Sequence, residues 1–196
     1  MKRSATTISS VIKEAQELRS GKEQKKRDIQ FRILFGEYMD YRDKTQRPEN
    51  QARLNQRCDS FFYVHVNPQQ IARIMDNLIG NALYAVNEEG IVSVTLEDIT
   101  LENERQVYCG SKMHILPPGD YSMLSVSDTG TGIPAYFLDQ VFETDFTTKE
   151  DQGTGLGLGV VRRFAEDNDA VIQLESSTQE PKGTTFRLYF KAVCPS

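Results

Sequence analysis

The chain has no tryptophan, only three cysteines and only two histidines among its 196 residues. Cys58, Cys109 and Cys194 are widely scattered and lack CxxC spacing. That excludes a disulfide framework and a structural zinc site, and points to a reducing compartment. His65 and His114 are too isolated to build a metal cluster. No apolar run approaches the roughly 18 residues a membrane helix needs. The tightest apolar cluster, Phe61 to Val66, is strand-sized. The first residues lack the apolar stretch and small-residue cleavage site of a signal peptide. With the cysteine usage, the expected location is cytoplasmic, as a separate protein or as the cytoplasmic part of a longer membrane-anchored one, with no membrane contact from this chain. Surplus positive charge is missing too: the formal net charge is −5, which argues against a general nucleic-acid binder.

What is present fits a folded domain. Hydrophobic residues make up 38% and charged residues 26% of the chain, a balance that excludes a disordered tail. The length suits one ordinary domain with an appendage. Residues 1–28 carry eight Lys or Arg and four Asp or Glu, whereas the remainder carries 15 and 24. A basic appendage therefore precedes an acidic body.

Within 5–20, Ile8, Val11, Ile12, Ala15 and Leu18 recur at helical spacing and form one stripe that needs another surface to cover it. The run from Gly21 to Arg27 reads as a helix end or linker, and Ile29 to Thr45 as a second helix. From Ala52 the period changes to two: Ala52, Leu54 and Cys58 suggest one strand and Phe61–Val66 another. Asn67-Pro68 turns into the most periodic segment of the chain, a helix from Gln69 to Val86 with Ile71, Met75, Leu78, Ile79, Ala82 and Val86 on one face. Val92, Val94 and Leu96 alternate as a strand. A long loop is expected through Gly110 to Pro117-Pro118-Gly119, and then a strand from Tyr121 to Val126, ending at Asp128. A helix from Leu158 to Glu166 and strands at Val171–Glu175 and Thr185–Ala192 complete the chain. Clustered strands without strict βαβ alternation predict a mixed sheet covered by helices on one face.

Several segments carry chemistry. Asp128-Thr-Gly130-Thr-Gly132-Ile133-Pro134 places a carboxylate at a strand end, followed by backbone that a flat ligand can approach closely. It also fits the dinucleotide pattern G-x-G-x-x-A, although Pro134 interrupts that reading and an ordinary Asp-Thr-Gly turn stays open. Gly153-Thr-Gly155-Leu156-Gly157-Leu158-Gly159 runs into a helix, so free N–H groups and the positive helix end suit an anion. A flexible hinge is the bland alternative. Asn77 and Asn81, four apart, project from one side of the strong helix, where their amide oxygens are hard ligands suited to Mg²⁺. Plain exposed polar residues are the alternative there. Phe142 to Lys149 lies between the glycine segments and reads as a lid or as a surface loop. Gly183-Thr184 opens the last strand and returns a hydroxyl toward the same region.

The order and spacing of these pieces resemble the ATP-binding catalytic domain of sensor histidine kinases, in the superfamily shared with gyrase, MutL and the ninety-kilodalton heat-shock chaperone. The matching parts are the N box (Asn77 to Ala82), the G1 box (Asp128 to Gly132), the lid (Phe142 to Lys149), the G2 box (Gly153 to Gly159) and Gly183-Thr184. The Thr-Thr-Lys before the G2 box looks most like the nitrogen-regulation and hybrid-kinase branches.

The resemblance implies an α+β fold, the two-layer α/β sandwich called the Bergerat fold. Residues 29–196 would form the ATP-binding domain. Residues 1–28 would be a helical remnant of a dimerisation hairpin, with the helix that bears the acceptor histidine expected upstream of Met1. ATP and Mg²⁺ are the implied cofactors. Asp128 would accept the adenine amino group beside Gly130, Gly132 and Ile133, and Asn81 would ligate Mg²⁺ with Asn77 in support. Thr148, Lys149, Gly153, Gly155, Leu156, Gly157 and Leu158 would hold the phosphate tail, and Thr184 would face the same pocket.

The implied activity is transfer of the γ-phosphoryl group to a histidine on a separate helical domain, for relay to a response regulator receiver domain, in a protein that is a homodimer at full length. The hydrolases of the superfamily carry a glutamate where this chain has Asn77, which cannot take a proton, so hydrolysis is disfavoured. Thr144-Asp145 replaces the Pro-Phe frequent in lids of this branch, which weakens the expected docking of the lid on the acceptor helix. The alternatives are a degenerate nucleotide- or partner-binding module and a related serine kinase.

Overall fold

The structure is a computed structural model that describes residues 26–45, 53–86, 90–143 and 157–194. Its elements run β1 (Arg27–Gln30), α1 (Phe31–Thr45), β2 (Arg53–Asp59), β3 (Tyr63–Val66), α2 (Pro68–Ala85), β4 (Ile91–Leu101), β5 (Arg105–Cys109), β6 (Lys112–Leu116), β7 (Gly119–Asp128), α3 (Gly157–Asp167), β8 (Val171–Ser177) and β9 (Gly183–Val193).

The strands form one mixed sheet in the order β2-β4-β7-β9-β8-β5-β6, with β3 joining the end of β9 and β1 pairing with β3. Long antiparallel ladders join β4 to β7 and β7 to β9, whereas β2 runs parallel to β4. The central strand β7 alternates by position. Leu124 and Val126 enter the main core with the helices, while Tyr121 and Met123 face a second cluster on the opposite side. Period two then puts Asp128, four residues after Leu124, on the helix side.

Helix α2 starts where the sequence signals it. The Asn67 side chain accepts hydrogen bonds from the amides of Gln69 (2.9 Å) and Gln70 (3.4 Å), and Pro68 takes the first helical position, where no amide donor is needed. Its buried residues are Pro68, Ile71, Ile74, Met75, Leu78, Ile79 and Ala82. Asn77 and Asn81 lie beside that stripe, half-buried. The helices and the sheet meet around aromatic contacts: the rings of Phe31 and Phe190 pack edge to face at 5.0 Å, and Phe164 lies 6.1 Å from Phe190.

Three expectations are corrected. Ile29 and Gln30 are not helical, because Arg27–Gln30 pairs antiparallel with Tyr63–Val66 and the ladder overrides the apolar run. The same pairing takes residues 27 and 28 out of the expected helical appendage; the rest of that appendage, residues 1–25, lies outside the described residues. The expected long loop between β4 and β7 contains the hairpin β5–β6, so His114 sits in a strand, across from Val107. That hairpin also adds to the sheet's other face. Val107 and Leu116 pack with Tyr121, Met123 and Tyr189 on the side of the sheet away from the helices, so that side is partly covered too.

A single carboxylate fastens the crossing from β2 to β3. Asp98 on β4 accepts from the hydroxyls of Ser60 and Ser122, each at 2.7 Å, and from the amides of Phe61 (2.5 Å) and Phe62 (2.9 Å). Asp98→Ala leaves four donors without this acceptor and is expected to cost about 2–4 kcal/mol of unfolding free energy by urea titration; a loss under about 0.5 kcal/mol would show that water replaces the network.

Candidate nucleotide site

The site begins with where β7 stops. Asp128 is paired with Thr184 of β9 in the ladder and is 9% exposed. Its Oδ1 accepts from the amide of Gly130 at 2.9 Å and from the amide of Thr184 at 3.3 Å. Among the described residues both hydrogen bonds fall on Oδ1, which leaves Oδ2 to accept from a ligand. Burial pushes the carboxyl above its ordinary value, and the two amides oppose that shift without cancelling it.

The following loop is clamped from two sides. The amide of Thr131 donates to the Ala85 carbonyl at 3.3 Å, and a Cβ at Gly130 would stand 2.5 Å from that carbonyl oxygen. Gly132 has φ +72°, and a Cβ there would stand 2.0 Å from the Ser177 carbonyl oxygen. Both positions therefore require glycine, for close approach and, at Gly132, for conformation as well.

The contact with Ala85 is what joins the two sequence motifs. Asn77, Asn81 and Ala85 fall at i, i+4 and i+8 on α2, all half-buried, so one helix face runs from the paired amides to the loop behind Asp128. The Asn77 amide nitrogen donates to the Arg73 carbonyl at 2.8 Å, so among the described residues its oxygen is the end left to accept. The neighbouring Asp76 points elsewhere. It accepts from the Tyr38 hydroxyl at 2.6 Å and faces Arg42 of α1 at 4.0 Å. Burial, reinforced by the Asp76 charge, holds the Tyr38 hydroxyl firmly protonated.

Sequence reasoning missed Ser176. Its hydroxyl accepts from the Ile133 amide at 2.7 Å and sits 2.9 Å from the Thr184 hydroxyl and 3.0 Å from the Gly183 carbonyl. It thereby pins the loop after Asp128 to the β8–β9 turn. The Thr184 amide serves Asp128, and its hydroxyl sits beside that of Ser176. Gly157, Leu158 and Gly159 form the first turn of α3, and a Cβ at Gly159 would lie 3.5 Å from the Phe142 carbonyl oxygen. The Phe142 ring is anchored against Phe186 at 6.2 Å. Thr148, Lys149, Gly153, Gly155 and Leu156, together with Thr144-Asp145, lie outside the described residues. The hollow lined by Thr100 to Arg105 is at the opposite end of β4 from Asp128 and touches none of these groups.

Residues 66–193 match the family described as histidine kinase-, DNA gyrase B-, and HSP90-like ATPase. The chain belongs to this family. The sensor histidine kinase ZraS of Escherichia coli K12 is 34% identical over 131 residues, covering 67% of this chain and 23% of that protein. The sensor kinase CckA of Brucella abortus is 37% identical over 123 residues, covering 61% of this chain and 12% of that protein. The chain thus spans less than a quarter of either relative. The catalytic domain of the histidine kinase ThkA superposes with a TM-score of 0.65 at 24% identity, over 86% of this chain and 97% of that one, which establishes the shared fold. The α+β architecture with a mixed sheet and helices is the one expected of this ATPase family.

The raised pKa of Asp128 has a thermodynamic sign. The fold favours the protonated form, so the group's contribution is fully present below the unfolded carboxyl value, near 3.9, and is lost as pH rises through the higher folded value. The stability of the wild type minus that of Asp128→Asn is therefore expected to fall with rising pH across that window and to be flat above it, by urea unfolding at a series of pH values. A difference that grows with pH would mean the two amides outweigh burial.

Proposed function

We propose that this chain is the ATP-binding catalytic part of a two-component sensor histidine kinase. The observation that carries the reading is Asp128: a buried carboxylate with Oδ1 held by two backbone amides, Oδ2 left as an acceptor, and glycine backbone beside it. Such an acceptor suits the exocyclic amino group of adenine and disfavours a 6-oxo purine, which presents an oxygen there. Gly130, Gly132 and Ile133 border the base, and the first turn of α3 at Gly157 and Leu158 offers N–H groups and the positive helix end to phosphate. By sequence, Thr148, Lys149 and Gly153 to Leu156 belong to the same phosphate-binding set.

The donor set on α2 fits a magnesium ion that keeps water and phosphate in its shell. Asn81 would be the protein ligand and Asn77 its support, since neutral amide oxygens are hard and compact. When bound, the ion would neutralise phosphate charge during transfer. The chain's own residues bind the base, orient the phosphate tail and present the γ-phosphoryl group. The bond from the γ-phosphorus to the β–γ bridging oxygen breaks and ADP leaves with that oxygen, while the unprotonated imidazole nitrogen forms the new bond to phosphorus and the proton on the ring's other nitrogen passes to water. Nothing in the described site supplies a base for water: Asn77 is an amide, and Asp76 is engaged by Tyr38 on another face.

The acceptor histidine is assigned to a separate helical domain, the chain before β1 to a helix attached to that domain, and the product phosphate to a response regulator receiver domain. His65 is paired with Asp28 at 2.7 Å between β1 and β3, an arrangement suited to a structural role. Among the described residues no helix is long and apolar enough to cross a membrane. A cytoplasmic catalytic part and a homodimeric full-length protein complete the reading.

Two measurements test it. In calorimetry with Mg²⁺, Asp128→Asn keeps an oxygen for the two amides but turns the free acceptor into a donor. ATP affinity is expected to fall on the order of 10–100-fold, with inosine triphosphate weakened far less. Equal losses for both nucleotides would remove Asp128 from base recognition. In the second, the chain mixed with a helical bundle bearing an acceptor histidine and with labelled ATP is expected to yield acid-labile phosphoprotein; acid-stable label would favour the serine-kinase reading instead.

A further inference from the structure

The β5–β6 hairpin touches the rest of the molecule at a place the proposed activity does not account for. Its outer strand β6 ends the sheet, and β5 meets β8 through one parallel bridge, Cys109 to Leu174. The tip, however, is fastened elsewhere. The Ser111 amide donates to Asp139 Oδ1 at 2.6 Å. Gly110 at φ +63° lies so close that a Cβ there would stand 2.2 Å from that same oxygen and 3.0 Å from the Leu138 carbonyl oxygen.

Asp139 immediately precedes the 3₁₀ turn Gln140–Phe142. Within that turn Val141 and Phe142 are buried in the main core, and the Phe142 carbonyl oxygen abuts α3 at Gly159, in its first turn. Charges converge here as well. Arg162 of α3, Lys112 of β6 and Asp139 all act on the Cys109 thiol, which burial pushes up to about 11. One short path of contacts therefore runs from the hairpin tip through Asp139 and Phe142 to the N-terminal turn of α3.

We infer that Asp139 is a positioning residue: by holding the Gly110-Ser111 tip it fixes the Phe142 turn against the start of α3 and so sets how well that helix end meets the nucleotide phosphates. The inference rests on the reading of this site as a nucleotide site. It assigns Asp139 no contact with the nucleotide. The loop beside Asp128 is held by separate hydrogen bonds, to Ala85 and to Ser176, rather than by this Asp139–Ser111 latch.

The distinguishing consequence is a split between ligands. Asp139→Ala is expected to weaken ATP binding about five-fold, the effect of losing one ordinary hydrogen bond from the arrangement, and to leave adenosine affinity unchanged. Asp139→Asn, which keeps the acceptor oxygen, is expected to restore the wild-type ATP value. The measurement is calorimetry with ATP·Mg²⁺ and NMR titration with adenosine on the full chain, with thermal melting as a check on folding. Adenosine weakened as much as ATP would show a general structural role and overturn the inference, as would unchanged ATP affinity in Asp139→Ala or no recovery in Asp139→Asn. Absence of ATP binding by the wild type would overturn the functional reading along with it, whereas wild-type binding with equal losses overturns the latch alone.

Discussion

The arrangement depends on one buried carboxylate at the end of the central strand. A charge removed from water needs donors nearby, and Asp128 has two, both backbone amides: one from its own turn at Gly130 and one from the neighbouring strand at Thr184. Those donors exist only where β7 and β9 remain in register up to the strand end and where the chain turns sharply back. Both donors address one oxygen, so the second is available to a ligand. The same burial that raises the carboxyl's pKa lowers the local dielectric and so strengthens any hydrogen bond it accepts.

Around that group the fold brings together two elements distant in sequence. The long apolar stripe of α2 fixes the rotation of the helix on the sheet, and rotation decides that Asn77, Asn81 and Ala85 share the adjoining face. The loop after Asp128 then bonds to Ala85 and, through Ile133, to Ser176 of β8. Packing energy spent on ordinary core residues thereby sets the geometry of polar ones. The aromatic contact between Phe142 and Phe186 does the same for the start of α3. Positioning of this kind is what phosphoryl transfer asks of a protein, since the covalent change needs little help beyond alignment and charge neutralisation.

Legibility in the sequence followed the range of the forces involved. Helix α2 is readable because its period, its Asn67 cap and Pro68 act within a few residues of one another. The strand before Asp128 and the glycines after it are readable for the same reason. The hairpin β5–β6 was hidden between the acidic run at Glu102 to Glu104 and the prolines at 117 and 118, although a signal existed. Gly110-Ser111 separates two short stretches of alternating character, a two-residue turn with glycine in the left-handed region. β1 had no comparable signal. Ile29 continues an apolar run into α1, and only the presence of β3 opposite makes Arg27–Gln30 a strand. Ser176 is likewise an unmarked serine in a strand, important only because the loop after Asp128 lies against it.

The sequence alone determined the identities that chemistry requires: a carboxylate followed by glycines, two amides one helical turn apart, and a glycine segment leading into a helix, in an order that few families share. It did so because each is a local pattern with a local physical cause. The tertiary structure decided which atoms of those residues remain available and who holds them. Among the described residues the bonds to Asp128 fall on Oδ1, Asp76 is turned toward Tyr38, the hydroxyl of Thr184 is engaged by Ser176, and Asp139 grips a hairpin tip. These outcomes depend on neighbours from eight to 56 residues away along the chain, brought within hydrogen-bond distance by sheet register and helix packing.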